Sequence, residues 1–299
     1  MVTPSLRVRG LSVRFGPVAA ASDVSFDLKP GEVLVLVGES GCGKSVVASG
    51  LLGLLPANAS VTGQAMLGPT DLLALGERRL AAQVRGRQIG LVPQSAATHL
   101  HPVRTVRAQL AETLRELGVA TTVEQAAERA RLPADHLDRY PHQLSGGLAQ
   151  RAAIALALAG SPGLILADEP TTGLDRALVH EITAEFRRIA DAGHAVLMVT
   201  HDLAAAERIA DRVAVMYAGR IVENAPAEAF FARPRHPYAR GLLNALPERE
   251  FVPIAGNPPQ LSQLPAGCAF RPRCPLGDSA CARLPASEGE EHVVACHHA

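Results

Sequence analysis

The sequence of 299 residues contains no tryptophan, and aromatic residues make up only 3% of it. This scarcity argues against a surface on which nucleic-acid bases would stack. Lysine plus arginine and aspartate plus glutamate each number 29, so no net charge draws the chain to nucleic acid or to an anionic membrane. The longest apolar stretch, Ala152 to Ala167, is interrupted by glycine, serine and proline, and we expect no part of the chain to span a bilayer.

The first ten residues lack the cationic and apolar pattern of a secretory leader, and we expect the protein to stay in the cytosol. Any membrane role would therefore depend on a partner. The length is sufficient for one large α/β domain with a smaller appendage.

The spacing of apolar residues predicts the secondary structure. Alternation from Leu6 to Phe15 predicts a half-exposed strand of an antiparallel sheet. Continuous apolar runs predict buried parallel strands at Val33 to Val37, Leu164 to Ala167, Ala195 to Val199 and Val213 to Tyr217. Apolar residues spaced three and four positions apart predict two helical regions. One carries Val103, Val106, Leu110, Leu114 and Leu117, and the other carries Leu178, Ile182, Phe186 and Ile189.

A glycine-rich loop follows the strand that ends at Val37, and a helix is expected from about Lys44 to Leu54. The loop consists of Gly38, Glu39, Ser40, Gly41, Cys42, Gly43, Lys44 and Ser45. Its glycines let the backbone approach phosphate oxygens, and the start of the helix directs N–H groups at the same anion. Lys44 adds a positive charge and Ser45 a hydroxyl for Mg²⁺.

A second motif, Leu144-Ser145-Gly146-Gly147-Leu148-Ala149-Gln150, lies 106 residues after the loop and shortly before the apolar strand that ends in Asp168 and Glu169. With the phosphate loop, this combination resembles an ABC-type ATPase. The resemblance implies a P-loop NTPase (RecA-like) α/β core with an antiparallel β subdomain, a helical signature subdomain at about 95–160 and a small irregular cysteine-rich C-terminal extension. It also implies ATP and Mg²⁺ as ligands.

The resemblance implies roles for the remaining site residues. Asp168 would hold Mg²⁺ together with Ser45 and Gln94, and Glu169 would orient or deprotonate the attacking water. His201, which follows a buried strand, would contact the γ-phosphate. The neighbouring Asp202 could be only the N-cap of the next helix.

Other implied contacts lie farther from the reacting phosphate. Phe15 would stack on adenine, but its alternation with Val13 also suits a core position. Ser145, Gly146 and Gly147 would face the γ-phosphate held by a second ATPase subunit, and Asp175 would line the junction. The chain is therefore expected to work as half of a dimer with a related paralogue or a second copy of itself.

Four of the five cysteines, Cys268, Cys274, Cys281 and Cys296, cluster near the end of the sequence. A reducing cytosol disfavours disulfides, so thiolate ligation of a metal is the better explanation. The spacing lacks the close pairs typical of zinc sites, whereas a 4Fe–4S cluster also takes four thiolates. A mixed site of cysteines and histidines is a further alternative, because Cys296 is flanked by His292, His297 and His298.

The segments His236-Pro237-Tyr238, Gly256-Asn257-Pro258-Pro259 and Gly267 to Pro275 resemble the tail of peptide and nickel importer ATPases. That resemblance implies Cys268, Cys274, Cys281 and Cys296 as iron–sulfur ligands, with Zn²⁺ as the alternative. It further implies a domain boundary between 1–245 and 246–299. The segment from Ser95 to Pro102 departs from the family's usual sequence, at the place where a membrane partner would dock.

The functional expectation is an ATPase subunit that powers import of peptides or a related small solute. It would lie on the cytoplasmic face of the inner membrane, with two transmembrane permease subunits and, indirectly, an extracytoplasmic solute-binding protein as partners. Alternatives are a nickel or metal-chelate importer, an exporter, and an ABC ATPase acting on nucleic acid or the ribosome. The neutral charge and the absence of a duplicated cassette disfavour the last.

Overall fold

A computed structural model describes residues 5–299. The strands, in chain order, are β1 (Leu6–Phe15), β2 (Val18–Leu28), β3 (Val33–Val37), β4 (Ala59–Leu67), β5 (Thr70–Asp71), β6 (Ile89–Val92), β7 (Leu164–Asp168), β8 (Ala195–Val199), β9 (Arg212–Tyr217), β10 (Arg220–Pro226) and β11 (Val293–Val294). The α-helices are α1 (Lys44–Leu51), α2 (Glu77–Arg79), α3 (Ala96–His99), α4 (Val106–Leu117), α5 (Val123–Arg129), α6 (Gly146–Leu158), α7 (Arg176–Asp191), α8 (Leu203–Ile209), α9 (Ala227–Ala232) and α10 (Pro237–Asn244). Within this described part of the chain, no helix combines the length and the apolar character needed to cross a membrane.

The chain divides into two compact units. The first consists mainly of Leu28–Val33 and Leu75–Thr200, and the second of Leu6–Asp27, Leu34–Ala74 and His201–Ala299. The 54 C-terminal residues after the predicted boundary at 245 thus fall in the same unit as the phosphate loop. The boundary itself stays a prediction.

In the first unit, β6, β7 and β8 form parallel ladders, with Ile89 opposite Leu164 and Leu164 opposite Ala195. Strands β7 and β8 are almost entirely buried, as their continuous apolar sequences predict. Helix α7 buries Ile182, Phe186 and Ile189 on one face, in agreement with their helical spacing.

Two helices are shorter at one end than predicted. The side chain of Thr105 accepts a hydrogen bond from the backbone N–H of Ala108 and so caps α4, which leaves Val103 outside the helix and 75% exposed. In the second unit, α1 ends at Leu51 because Gly53 adopts a left-handed backbone with φ 63°. The predicted extension of α1 to Leu54 is therefore wrong.

The second unit contains an antiparallel sheet and a set of strands around β3. In the antiparallel sheet β1 pairs with β4, and Leu6, Val8 and Val13 are buried while arginines between them are exposed. This matches the predicted half-exposed strand. Strand β3 is buried along its whole length and pairs in parallel with β9, which pairs antiparallel with β10.

Residues 246–299 contain little regular structure beyond two 3₁₀ turns and β11. Strand β11 pairs with β10, with Glu223 opposite Val294, and this pairing joins the end of the tail to a strand of the second unit. Prolines distributed through the tail explain the scarcity of helices and longer strands, since each lacks a backbone N–H.

Candidate nucleotide-binding site

The phosphate loop connects β3 to α1 and has a backbone that only glycine can adopt at two positions. A Cβ on Gly38 would lie 2.2 Å from the carbonyl oxygen of Met216, and one on Gly43 would lie 2.0 Å from that of Ala20. Gly43 also has φ 105° and stands directly before α1. The loop is thus packed tightly from behind and leads into the N-terminus of α1, the end of a helix that favours an anion.

The ammonium group of Lys44 lies inside this loop. The residue is 4% exposed, and its Nζ donates hydrogen bonds to the carbonyl oxygens of Gly38 at 2.8 Å and Glu39 at 3.1 Å. Burial raises the pKa of the neighbouring Cys42 thiol, which keeps it protonated at neutral pH. Cys42 therefore contributes backbone rather than a reactive thiolate, whereas Ser40 and Ser45 are exposed.

In the first unit, the structure brings Gln94 and Glu169 together. Strand β7 ends at Asp168, and the Glu169 carboxylate oxygen Oε2 accepts hydrogen bonds from Gln94 Nε2 at 3.1 Å and from Thr172 Oγ1 at 3.0 Å. Two predicted site residues 75 positions apart are thus direct partners. Thr172 was missed by sequence reasoning, because a threonine three residues after a glutamate carries no distinctive signal.

Backbone strain accompanies this pair. Glu169 has φ 45° and Ser95, which follows Gln94, has φ 56°, both in the left-handed region that favours glycine. Such conformations cost about 1 to 3 kcal/mol each and concentrate at functional sites. The Glu169 amide is held in place by a 2.8 Å hydrogen bond to the carbonyl oxygen of Val199.

The signature residues open α6 as predicted. Ser145 is the N-cap, with its Oγ accepting from the Leu148 N–H at 3.3 Å, and the helix begins at Gly146. A Cβ on Gly147 would lie 2.7 Å from Leu178, a residue of the first turn of α7. Asp175 caps that same helix by accepting from the Leu178 N–H at 3.0 Å. Gly147 and Asp175 are therefore linked through Leu178.

Two other predicted site residues lie in the second unit. His201 is exposed immediately before α8, and Asp202 does act as the N-cap of that helix, accepting from the Ala205 N–H at 2.9 Å. Phe15 is half-buried at the end of β1, whereas Val13 is fully buried. Phe15 is therefore partly accessible, and its contact with adenine stays a prediction.

The motif His236-Pro237-Tyr238 places a phenol beneath the phosphate loop. His236 caps α10 through its Nδ1, which accepts from the Tyr238 N–H at 3.0 Å, and Glu223 accepts from the His236 N–H at 2.7 Å. Tyr238 is fully buried, and its hydroxyl accepts a 2.8 Å hydrogen bond from the Glu39 N–H. This contact between α10 and the loop could not be read from the sequence.

Cys281 and Cys296 lie close enough to Cys268 and Cys274 to act on them electrostatically. All are free thiols. Burial, with further contributions from other cysteines of the group, raises the pKa values of Cys268, Cys274 and Cys296. Cys281 is 4% exposed, and its carbonyl oxygen accepts from the Cys268 N–H at 3.0 Å. The four thiols thus lie in one region of the tail, while their arrangement as a ligand set and the group they would hold stay predictions.

A different metal-ligand set shares Cys281. The ligand atoms of Asp278, Cys281 and His298 all lie within 4.8 Å of one another. His298 Nε2 lies 3.3 Å from Asp278 Oδ1 and 3.7 Å from Cys281 Sγ. His292 is instead paired with Glu223 at 2.7 Å, and His297 contacts the carbonyl oxygen of Arg283 at 3.0 Å. Of the three histidines left open, His298 alone belongs to this three-residue set.

Comparison with known proteins agrees with this architecture. A family model described as ABC transporter matches residues 21–172. Over 95% of its length the chain is 40% identical to the oligopeptide transport ATP-binding protein OppD of Escherichia coli, of which it covers 89%. It is 39% identical to the dipeptide transport ATP-binding protein DppD of Bacillus subtilis, over 97% of this chain and 93% of that protein.

Solved structures give the same result. The dimeric structure of a bacterial ABC transporter cassette is 27% identical with a TM-score of 0.63, covering 74% of this chain and 98% of the cassette. A post-hydrolysis dimer of an ATP-binding cassette with ADP and Pi is 26% identical with the same TM-score and coverage. The chain belongs to the ABC transporter family of ATPases. A model described as the C-terminal region of oligopeptide/dipeptide transporters matches residues 222–281, and with the other matches it confirms the predicted family. The solved structures confirm the predicted P-loop NTPase fold of the core.

Proposed function

We propose that this chain binds and hydrolyses ATP to power the import of peptides or a related small solute. The observation that carries the proposal is the Glu169 carboxylate at the end of β7, held by Gln94 and Thr172 at about hydrogen-bonding distance. A carboxylate fixed in this way can orient a water and accept its proton. The named functions of OppD and DppD, and the matching C-terminal region, support peptides as the cargo.

The other residues of the proposed site bind and orient the nucleotide. Lys44 and the start of α1 neutralise the phosphates, Phe15 stacks on adenine, and His201 contacts the γ-phosphate. Ser45, Gln94 and Asp168 are oxygen donors of the kind that Mg²⁺ prefers, and Mg²⁺ supplies further neutralisation of phosphate charge when bound. Glu169 takes the proton of the attacking water as the bond to the γ-phosphate breaks.

The proposed assembly contains a second ATPase subunit, either a related paralogue or another copy of this chain. The start of α6 with Ser145, Gly146 and Gly147 presents unpaired N–H groups that suit the γ-phosphate of that subunit, with Asp175 beside them. Two permease subunits would carry the solute, an extracytoplasmic binding protein would deliver it, and this chain would lie at the cytoplasmic face of the inner membrane.

For the tail we propose thiolate ligation of a structural metal group, a 4Fe–4S cluster, by Cys268, Cys274, Cys281 and Cys296. The residues fit such a group because the four thiols are free, and Cys281 and Cys296 lie close enough to Cys268 and Cys274 to raise the pKa of those two thiols. The alternative is Zn²⁺ held by Asp278, Cys281 and His298, whose ligand atoms lie within 4.8 Å of one another. Both sites require Cys281, so the chain would hold one group or the other.

The test of the proposed activity is Glu169→Gln, because glutamine can keep the hydrogen bonds but cannot accept a proton. We expect phosphate release to fall at least about a hundredfold while ATP still binds and the nucleotide-bound dimer accumulates. Glu116→Gln, at a side chain that is 73% exposed on α4, is the matched control and should turn over normally. Unchanged turnover by Glu169→Gln would contradict the assigned role.

The cargo and partners need a separate experiment. The tagged chain is purified from membranes, its associated proteins are identified, and its ATPase rate is measured in proteoliposomes with and without a peptide-loaded binding protein. Co-purification of two permeases and stimulation by peptide are the expected results. Association with nucleic acid or ribosomes in place of permeases would exclude the import function.

A further inference from the structure

An arginine from the cysteine-rich tail is paired with a residue of the phosphate loop. Arg273 Nη1 donates to Glu39 Oε2 at 2.7 Å, and Arg273 Nη2 donates to Glu39 Oε1 at 3.0 Å. The arginine side chain is 4% exposed and the glutamate side chain 28%. Two parallel charge-assisted hydrogen bonds in a site shielded from water form one of the stronger polar contacts available to a protein.

Arg273 is itself held by the second unit, independently of Glu39. Its Nε donates to the carbonyl oxygen of Ala255 at 2.9 Å. Its guanidinium carbon lies 5.8 Å from the ring centre of Tyr217 and 5.9 Å from that of Phe270, within range of cation–π attraction. The arginine is therefore held in place by contacts other than its pair with Glu39.

Glu39 connects this pair to the groups that bind phosphate. Its N–H is fixed by the Tyr238 hydroxyl, and its carbonyl oxygen is one of the two that accept from Lys44 Nζ. Displacement of Glu39 would consequently shift the loop carbonyl that holds Lys44. The backbone N–H of Glu39 is thus held by Tyr238, and its carboxylate is held by Arg273.

Charge gives the pair a second consequence. Glu39 places a carboxylate within a loop that has to receive the polyanionic triphosphate, and an unpaired negative charge there would repel it. The guanidinium of Arg273 cancels that charge. Lys44 is then free of competition from a nearby carboxylate and can act on the nucleotide.

We propose that Arg273 is a positioning residue for ATP, which neutralises Glu39 and fixes the phosphate loop in its binding geometry. The inference rests on the proposed function, since it assumes that the loop binds ATP. It gives the tail a direct role in nucleotide affinity.

The experiment measures the Kd for Mg²⁺-ATP by calorimetry in the full chain with the hydrolysis-blocking Glu169→Gln substitution as the common background. Arg273→Met keeps the length of the side chain and removes its charge. We expect ATP to bind about tenfold to a hundredfold more weakly, because the partly buried carboxylate of Glu39 is left uncompensated beside the bound phosphates. Arg271→Met, at an exposed arginine of the same turn, removes the same charge and should leave the Kd within about twofold.

A second substitution separates positioning from a general loss of tail stability. Adding Glu39→Gln to Arg273→Met removes the uncompensated carboxylate and should restore the Kd to within about threefold of Glu39→Gln alone. Tail unfolding would not be repaired by this change. Equal Kd values for Arg273→Met and its background, or a loss that Glu39→Gln does not repair, would overturn the inference.

If Arg273→Met does not fold, Arg273→Lys replaces it, since lysine keeps the charge and loses the bidentate geometry. We then expect weaker ATP binding that the added Glu39→Gln restores, and a Kd unaffected by either change overturns the inference. Failure of the background protein to bind ATP would instead refute the proposed function.

Discussion

The buried histidine of the His236-Pro237-Tyr238 motif leads to a quantitative prediction about stability and pH. His236 is 1% exposed, and burial, with a smaller contribution from the positive charge of Arg240, lowers its pKa from 6.5 to about 4. The nearest acidic side chain in its hydrogen-bond network is Glu223, which accepts from the His236 N–H and also pairs with His292. His236 is therefore neutral in the folded protein at neutral pH.

The direction of the effect follows from proton binding. Between pH 6.5 and about 4 the unfolded chain binds a proton at His236 and the folded chain does not, so stability falls as the pH falls through this window. One pKa unit corresponds to about 1.4 kcal/mol, and the full shift amounts to about 3 kcal/mol. The loss begins near the unfolded pKa and is complete below the folded one.

The assay compares wild type with His236→Asn by urea unfolding at several pH values from 7.5 to 4.5. Asparagine keeps an acceptor for the helix cap and does not titrate. The stability advantage of wild type over the variant should shrink by about 2 to 3 kcal/mol across this range, while the other histidines contribute equally to both proteins. A pH-independent difference between them would refute the reasoning.

Three further predictions concern the loop, the signature helix and the tail. Gly43→Ala should reduce the free energy of unfolding by at least about 2 kcal/mol more than Gly41→Ala, because a Cβ at Gly43 meets the carbonyl oxygen of Ala20 while one at Gly41 meets no atom within 4 Å in the described structure. Similar urea midpoints would contradict this. Ser145→Ala should cost about 1 kcal/mol and accelerate hydrogen exchange at the N-terminus of α6, whereas unchanged exchange there would show that the cap contributes nothing. Metal and sulfide analysis should show iron lost in Cys268→Ser and retained in His298→Ala; loss of zinc in His298→Ala with retention in Cys268→Ser would favour the Asp278 site instead.

Two residues of the candidate site were not predicted, because their roles depend on contacts and not on a sequence motif. The residues that bind phosphate lie in one continuous stretch, and the glycines required there are visible in the sequence. Thr172 and Arg273 have no such local pattern, since a threonine or an arginine is compatible with many surface positions. Thr172 takes its role from Glu169, three residues earlier, whereas Arg273 takes its role from Glu39, which folding brings near across 234 positions.

The limits of helices were also decided by local contacts that apolar spacing does not describe. Val103 continues the spacing of α4, yet the cap made by Thr105 starts the helix after it. The left-handed backbone at Gly53 stops α1 before Leu54. Hydrophobic spacing predicts which face of a helix is buried, whereas hydrogen bonds at its ends fix where it begins and stops.

The sequence by itself determined the class of this protein, because the phosphate loop, the Ser145-Gly146-Gly147 signature and the Asp168-Glu169 pair are each short segments whose chemistry depends on neighbouring residues. It also determined that four cysteines lie in one tail. Only the tertiary structure decided that the tail reaches the phosphate loop, where Arg273 and Glu39 are 234 positions apart. Hydrogen bonds and charge compensation act over a few ångströms, and the fold alone sets which distant residues come within that range.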